Sequence, residues 1–449
     1  MNIGEENVLS SLKILGFFVT AGTSGPTKLI PRTAKSSIIE EVGLKSNGPY
    51  QDLINKKLKS FAQQKVESML PKSDDFVEAL LDTSGGLYRH KNTNVPVGVA
   101  NSFRIEEVVV DVLDNKRVWN FVTPPQLHLM MNYEDFLFIA SIFILQETHL
   151  NAIHGSYITS ILSFFECISH RWKDLVRSIK DGRVYVEDYM KSYENSADEE
   201  KSKLLKIIQI DVNDRLQENP TRAVELENIF REAATSSTPL YGIGIANVIW
   251  PRLSIISCLC SGENMSQFES PLRKFIGKSI CLYSPYCGGS EGVIGVNVWP
   301  GQKISCFAFT PEFNFVEFIR EGNMSDDNPK TVTVDELEIN SNYEIVLTTF
   351  SGFYRYRIGD IIRIVDKDDA LGPVFDFIKR KSSLLNLFNE MVTEDHIRMA
   401  LTAALNLMSY DQSLIKDFAC SIDVSSQSQP FYKIYLELHD KEVNLFFPT

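Results

Sequence analysis

Little in this sequence would build a zinc site, a disulfide scaffold or a membrane span. The seven cysteines are Cys167, Cys258, Cys260, Cys281, Cys287, Cys306 and Cys420. Their number is odd, and no C-x-x-C or Cys/His spacing suits zinc, so free thiols in a reducing compartment are expected. Long apolar runs are missing. The longest, Phe136 to Leu145, is about half of a membrane span and is flanked by Asp135 and Glu147. The N-terminus carries Glu5 and Glu6 where a secretory leader needs positive charge, and Lys13 interrupts its apolar run. These absences point to a cytoplasmic protein without a membrane partner. Positive charge is scarce too: 45 Lys and Arg face 58 Asp and Glu, a net charge of -13 that argues against nucleic acid as the main partner. Neither an internal repeat nor a low-complexity segment is visible.

What is present is ordinary globular material. Hydrophobic residues make up 44% and charged residues 23% of 449 positions. That suits two or three domains, or one large domain with an appendage. Within it one stretch stands out: Thr20 to Lys28, T-A-G-T-S-G-P-T-K. It follows the apolar run Ile14 to Val19, which reads as a buried strand. Gly22 and Gly25 let the backbone turn tightly and bring N–H groups close to an anion. Thr20, Thr23, Ser24 and Thr27 supply hydroxyl donors, and Lys28 supplies a point charge. The stretch is not a Walker loop, because Thr27 precedes Lys28 and Leu29 follows it. It resembles instead the phosphate loop of the adenylate-forming superfamily, which includes acyl-CoA synthetases, peptide-synthetase adenylation domains and luciferases. A plain Gly/Ser/Thr turn is an equal reading of these residues alone.

Beyond the loop, Pro31 to about Leu70 is polar and helix-compatible, in the place of a helix whose N-terminus faces phosphates. Asn132 to Lys180 reads as mostly helical and apolar. Its aromatics, including Phe136, Phe138, Phe143, Tyr157, Phe164, Phe165 and Trp172, read first as core and second as a pocket for an organic acid. His154 reads as structural. Glu187 to Glu232 reads as a solvated helical layer that restarts at Asn219-Pro220. From Val248 the chain is β-rich, with strands expected at 253–259, 279–283, 293–298, 304–309, 313–319, 343–350 and 361–365.

Two further motifs fall in this half. Gly288-Gly289-Ser290-Glu291-Gly292 leaves a strand: its glycines can make room for a flat base, and its acid can serve a metal, or it is simply a turn. Tyr354-Arg355-Tyr356-Arg357-Ile358-Gly359-Asp360 places a carboxylate at a strand junction. There Asp360 can accept from both hydroxyls of a ribose, or can cap a turn with Arg357 as its ion-pair partner.

In order and spacing the three motifs resemble the acyl-acid amido synthetases, the auxin-responsive family that includes the jasmonate–amino acid synthetase. Ile249-Trp250-Pro251, Phe315 to Phe318, Tyr343 to Phe350 and the hinge-like Phe377 to Lys381 fit the same family. The resemblance implies an α/β adenylate-forming fold. A large domain of α/β layers with a β-barrel-like region would span 1–379, and an incomplete small α+β domain 380–449. It implies that Thr23, Ser24, Gly25 and Lys28 hold the phosphates of ATP. Gly288 and Gly289 would border the adenine, with Tyr286 and Ser290 beside the nucleotide. Asp360 would bind the ribose, Arg380 would lie at the hinge, and Glu291 would serve Mg2+. Lys28 and Glu291 would be the catalytic residues.

The implied reaction activates a small carboxylic acid as acyl-AMP and conjugates it to an amino acid or other amine. Two departures are notable. Cys287 stands where the family has a tyrosine, with Tyr286 one place earlier, and the family's late lysine has no counterpart. The chain is expected to be shortened at both ends. A catalytically weak nucleotide-binding relative and an acyl-CoA ligase are the alternative readings. The identity of acid and amine, and the oligomeric state, are not legible in the sequence.

Overall fold

The computed structural model describes residues 14–19, 29–33, 53–61, 76–83, 88–89, 95–98, 100–130, 132–185, 212–235, 244–262, 268–302, 306–311, 314–381, 394–408, 410, 414–423 and 431–438. Thr20 to Lys28, with Thr23, Ser24, Gly25 and Lys28, lies outside them.

Strand β1 (Ile14–Val19) pairs antiparallel with β2 (Leu29–Thr33), bringing Val19 opposite Leu29. Residues 20–28 thus join two strands that pair with each other. The expected helix does not begin at Pro31: Pro31 to Thr33 extend the second of these strands, buried through Thr33, and 53–61 are helical further on (α1). On the other side β1 pairs in parallel with β5 (Pro96–Gly98), and β5 pairs with β4 (Tyr88–Arg89). Helix α2 (Ala100–Leu113) follows β5, and its Phe103 meets Phe18 edge to face at 5.3 Å.

The centre is a parallel sheet of β3 (Val77–Leu80), β6 (Leu150–Tyr157), β7 (Ile255–Leu259) and β8 (Cys281–Tyr283), in that order. Ile153, Ile256 and Leu282 stand side by side in register and face a layer of helices. Ala152 and Ile255 face the other way, toward Ile54 and Leu58 of α1. This is the pattern of a parallel sheet covered on both sides. The main-chain N–H of Val77 donates to Asn151 Oδ1 at 2.9 Å, which pins the start of β3 to β6.

The helical layer is α3 (Tyr133–Gln146), α4 (Ile158–Asp181) and α5 (Pro220–Thr235). Asn132 caps α3 by accepting from the N–H of Asp135, and Asn219 accepts from the N–H of Arg222 at the restart read from the sequence. Trp250 stacks on Phe164 and donates its indole N–H to the carbonyl of Ile144 at 3.0 Å. Phe136, Phe138, Phe164 and Phe165 are all buried in this layer, so as a group they form core and do not line an acid pocket. The stretch read as mostly helical, Asn132 to Lys180, contains a central strand, β6.

After β8, Ser284-Pro285 leads the chain out of the parallel sheet into an antiparallel one. Its eight strands run in the order β13-β12-β14-β15-β16-β11-β10-β9. They are β9 (Tyr286–Gly289), β10 (Gly292–Val296), β11 (Phe307–Phe309), β12 (Phe315–Arg320), β13 (Thr331–Val332), β14 (Asn342–Thr348), β15 (Tyr356–Asp368) and β16 (Gly372–Arg380). One face buries Phe307, Phe318, Tyr343 and Phe375. The expected strand junction at Gly359-Asp360 is the interior of β15. Gly359 takes φ +82° there, a conformation that a side chain disfavours. Beyond 381 the described residues comprise α6 (Glu394–Leu407) with the hairpin β17 (Ile415–Asp423) and β18 (Phe431–Leu438), and Arg398 of the helix lies over the ring of Phe418.

Candidate active site

The carboxyl ends of parallel strands gather loops at one edge of a sheet, which makes that edge the usual ligand crevice of an open α/β fold. Here the edge carries Asp82 after β3, Ser156 and Tyr157 at the end of β6, Cys260 to Gly262 after β7, and Ser284 to Tyr286 after β8. Gly262 takes φ +91° and has no room for a side chain, because a Cβ there would stand 2.7 Å from the ring of Phe377 on β16. That close approach sets the end of β16, and with it the start of β15, against the edge.

Register places Asp360 directly opposite Arg380, and Arg380 donates from Nε to Asp360 Oδ1 at 2.6 Å. Asp360 is 2% exposed. Burial pushes its carboxyl up from the ordinary value, the Arg380 guanidinium pulls it back, and Glu291 adds repulsion. Burial works against the charge of Arg380, and the hydrogen bond to Asp360 more than restores it. The alternative partner is ruled out. Arg357 makes a two-pronged pair with Glu344, at 2.8 and 2.6 Å, and Arg355 pairs with Glu317. Asp360 is therefore no turn cap; it is buried in mid-strand and held by Arg380.

Glu291 joins this pair from the turn between β9 and β10. The reason lies in the glycines. A Cβ on Gly288 would come within 2.6 Å of the carbonyl oxygen of Gly292, so Gly288 lets the two arms of the hairpin close. A Cβ on Gly289 would stand 2.9 Å from Glu291 Oε2 and 3.9 Å from Arg380 Nη2. Gly289 thus leaves room beside both charges, with Ser290 and Glu291 half-buried next to it. Cys287, in the tyrosine's place, turns into the core, and burial pushes its thiol well up. Tyr286 packs partly buried in the cluster of Tyr283 and Trp299, on the parallel-sheet side of the hairpin. Asp360, Arg380, Gly289 and Glu291 come together; Tyr286 packs away from them.

Phe18 of β1 and Ile30 of β2 cluster with Phe103 and with Phe353, in the turn that leads into β15. The residues on either side of the 20–28 loop are thus tied to the strand that carries Asp360.

Two residues at this edge, Asp82 and Ser156, were missed in the sequence, and Tyr157 was read only as one of the aromatics. Asp82 accepts from the main-chain N–H of Ser156 at 2.7 Å, and Tyr157 is 50% exposed. Tyr157 lies within the electrostatic reach of both Asp82 and Arg380, and burial raises its hydroxyl. It ends β6 at the same edge of the parallel sheet as Asp82. His154 bonds to Glu78 at 3.0 Å and is structural, as read. His128 bridges Thr123 and the carbonyl of Asp82, and burial holds it down to about 4, neutral at ordinary pH. The signal for Asp82 was the apolar run before it and the Ser84-Gly85-Gly86 turn after it.

Residues 1–281 match the GH3 family N-terminal domain, and residues 307–380 match the GH3 family central domain. The chain belongs to the GH3 family. It is 30% identical over 295 residues to the indole-3-acetic acid-amido synthetase GH3.10 of Arabidopsis thaliana, covering 63% of this chain and 46% of that protein. To the jasmonoyl–L-amino acid synthetase JAR4 of Nicotiana attenuata it is 28% identical over 293 residues, 65% of this chain and 46% of that one. This GH3 chain spans about half the length of these curated relatives. Its fold is that of the solved AtGH3.15 acyl acid amido synthetase, with a TM-score of 0.68 and 22% identity over 99% of this chain and 70% of that one. Among the described residues no helix is long and apolar enough to cross a membrane, and no group of three or more His, Cys, Asp or Glu could hold a metal ion.

Proposed function

We propose that this chain is an ATP-dependent acyl-acid amido synthetase. The observation that carries the reading is the cluster of Asp360, Arg380 and Glu291, set by Gly289 and Gly262 against the carboxyl edge of the parallel sheet. A carboxylate substrate would attack the α-phosphate of ATP and release pyrophosphate. An amine, of an amino acid in the named relatives, would then displace AMP and form an amide.

The residues support that chemistry at several points. Asp360 would bind the ribose, with Arg380 beside it at the hinge. Thr23, Ser24, Gly25 and Lys28, in the segment that joins β1 and β2, would take the phosphates. Gly288, Gly289 and Ser290 would line the base. One carboxylate with open space beside it suits Mg2+, which keeps most of its waters and binds through one or two carboxylates plus substrate phosphates. Glu291 would hold that ion, which when bound would neutralise phosphate charge. Residues up to about 379 would form the large domain, and those from 380 a lid that turns about Arg380. We place the chain in the cytoplasm.

Carboxylate-dependent ATP–pyrophosphate exchange over a panel of plant-hormone-like, fatty and aromatic acids tests the reading. Exchange with at least one acid is expected, falling by roughly 100-fold in Lys28→Ala, the usual worth of one preorganised charge donor. Saturable ATP binding without exchange for any acid would remove the ligase assignment. Product formation with coenzyme A in place of an amine would redirect it to an acyl-CoA ligase.

A further inference from the structure

We propose that Asp82 is the receiving site for the amino group of the acceptor, and that its carboxylate takes the first proton that group loses. This rests on the amido synthetase reading and adds a residue to it. Asp82 leaves β3 at the ligand edge, and its carboxylate is fixed by the N–H of Ser156, 74 residues away, at 2.7 Å. The Ser156 hydroxyl and the Asn101 side chain also reach it. These donors orient the carboxylate and leave its charge uncancelled. Among the described residues it makes no ion pair; Arg104 of α2 acts on it only through space.

Four titratable groups around it are neutral at ordinary pH. His128, bonded to the Asp82 main chain, stays unprotonated to about 4. Burial raises Tyr133 of α3 and Tyr157 of β6, and a hydrogen bond with Cys260 together with burial raises Cys258 of β7; Asp82 adds to all three. Asp82 nonetheless keeps part of its surface open. A fixed, partly open carboxylate without a cation, in a setting that costs charge, is a site for a cation. The protein's own chemistry needs one there. An acceptor amine arrives as an ammonium, and it must reach the acyl group activated beside Arg380.

The step balances as follows. The ammonium gives one proton to an Asp82 carboxylate oxygen. The freed nitrogen lone pair attacks the acyl carbonyl carbon, and the C–N bond forms. The C–O bond to the phosphate breaks, AMP leaves with that electron pair, and the second N–H proton leaves on its phosphate. Burial raises the Asp82 carboxyl toward the range of a useful base.

The test is calorimetric titration of the full chain with primary alkylamines, amino acids and amino acid amides, using hydroxyl isosteres as controls. Saturable binding of at least one amine is expected, with the isostere and the Asp82→Asn variant each weaker by roughly 10- to 100-fold, the worth of a hydrogen bond to a charged group. Asparagine can still accept from Ser156, so the fold should hold. In the wild type itself, amine affinity should fall as pH drops through the Asp82 titration, a check that needs no variant. Equal amine affinity in Asp82→Asn, equal affinity for the isostere, or no amine binding in the wild type would overturn the assignment. Where exchange is active, the ratio of amide formation to exchange should fall at least tenfold in Asp82→Asn, and an unchanged ratio would overturn it as well. Failure of exchange in the wild type would sink the ligase reading alone, while the titrations still decide Asp82.

Discussion

Burial raises two of the carboxylates in this cleft, and among the described residues only one of these two has a cation of its own. Asp360 is sealed in mid-strand with Arg380 opposite; Asp82 lies at a strand end, held by neutral donors and partly open. The difference separates a charge used to build a site from a charge left for a visitor. A buried pair matched inside the fold is costly to break and slow to respond to ligand. A fixed but unmatched carboxylate contributes little to stability and much to selection.

Breaking the matched pair should give the largest effect. Arg380→Ala leaves Asp360 buried and uncompensated. We expect a loss of about 2 kcal/mol in denaturant unfolding, below the full cost of a buried pair because a third of the Arg380 side chain is exposed. Replacing Asp360 with Asn in the same chain should recover most of it. An additive double mutant would show that the two side chains do not act as a pair, and the contrast with Asp82 would collapse.

The two neighbouring glycines sharpen the same contrast between structure and ligand. Gly288→Ala drives a methyl into the main chain of Gly292, so it should cost roughly 1–3 kcal/mol of stability. Gly289→Ala meets only the movable end of Glu291. It should leave the melting temperature nearly unchanged and weaken Mg2+-dependent ATP binding by about tenfold, the effect of losing one charge-assisted contact. Equal ATP affinity in Gly289→Ala and the parent would take Glu291 away from the metal.

How far the sequence reached divides along the same line. Asp360, Arg380 and Glu291 were legible because each lies in a short, ordered motif whose function depends on its immediate neighbours. The identity of the partner of Asp360 was not, since Arg357 is three residues away and Arg380 becomes adjacent only through the β15–β16 register. Asp82, and the place of Tyr157 beside it at the edge, were hidden for a stronger reason. They meet through parallel pairing of β3 with β6, and β6 was read as helix because it is short and lies between two strongly apolar helices. The 20–28 loop was expected to lead into a helix; Ile30 and Pro31 instead pair back onto Phe18 and Phe17, a tertiary choice that local polarity does not reveal. In the aromatic stretch the first reading, core, fits Phe136 and Phe164, which are fully buried, while Tyr157 of the same stretch is 50% exposed at the edge.

The gentlest test uses pH. A carboxyl raised in the folded chain binds its proton more tightly there than in the unfolded chain. Its contribution is fully present below the ordinary carboxylate value and is lost as pH rises through the folded value. Asp360 and Asp82 both add to that loss, so the wild-type curve alone cannot assign it. Subtraction can. The melting temperature of Asp82→Asn relative to wild type should climb as pH rises through this window and level off above it, a shift smaller than those of Arg380→Ala and Gly288→Ala. A saturating primary amine should flatten the difference by giving the wild-type carboxylate the cation it lacks. A difference that stays flat with pH would mean that Asp82 titrates as an ordinary surface acid, and the asymmetry between the two carboxylates would then be one of position only.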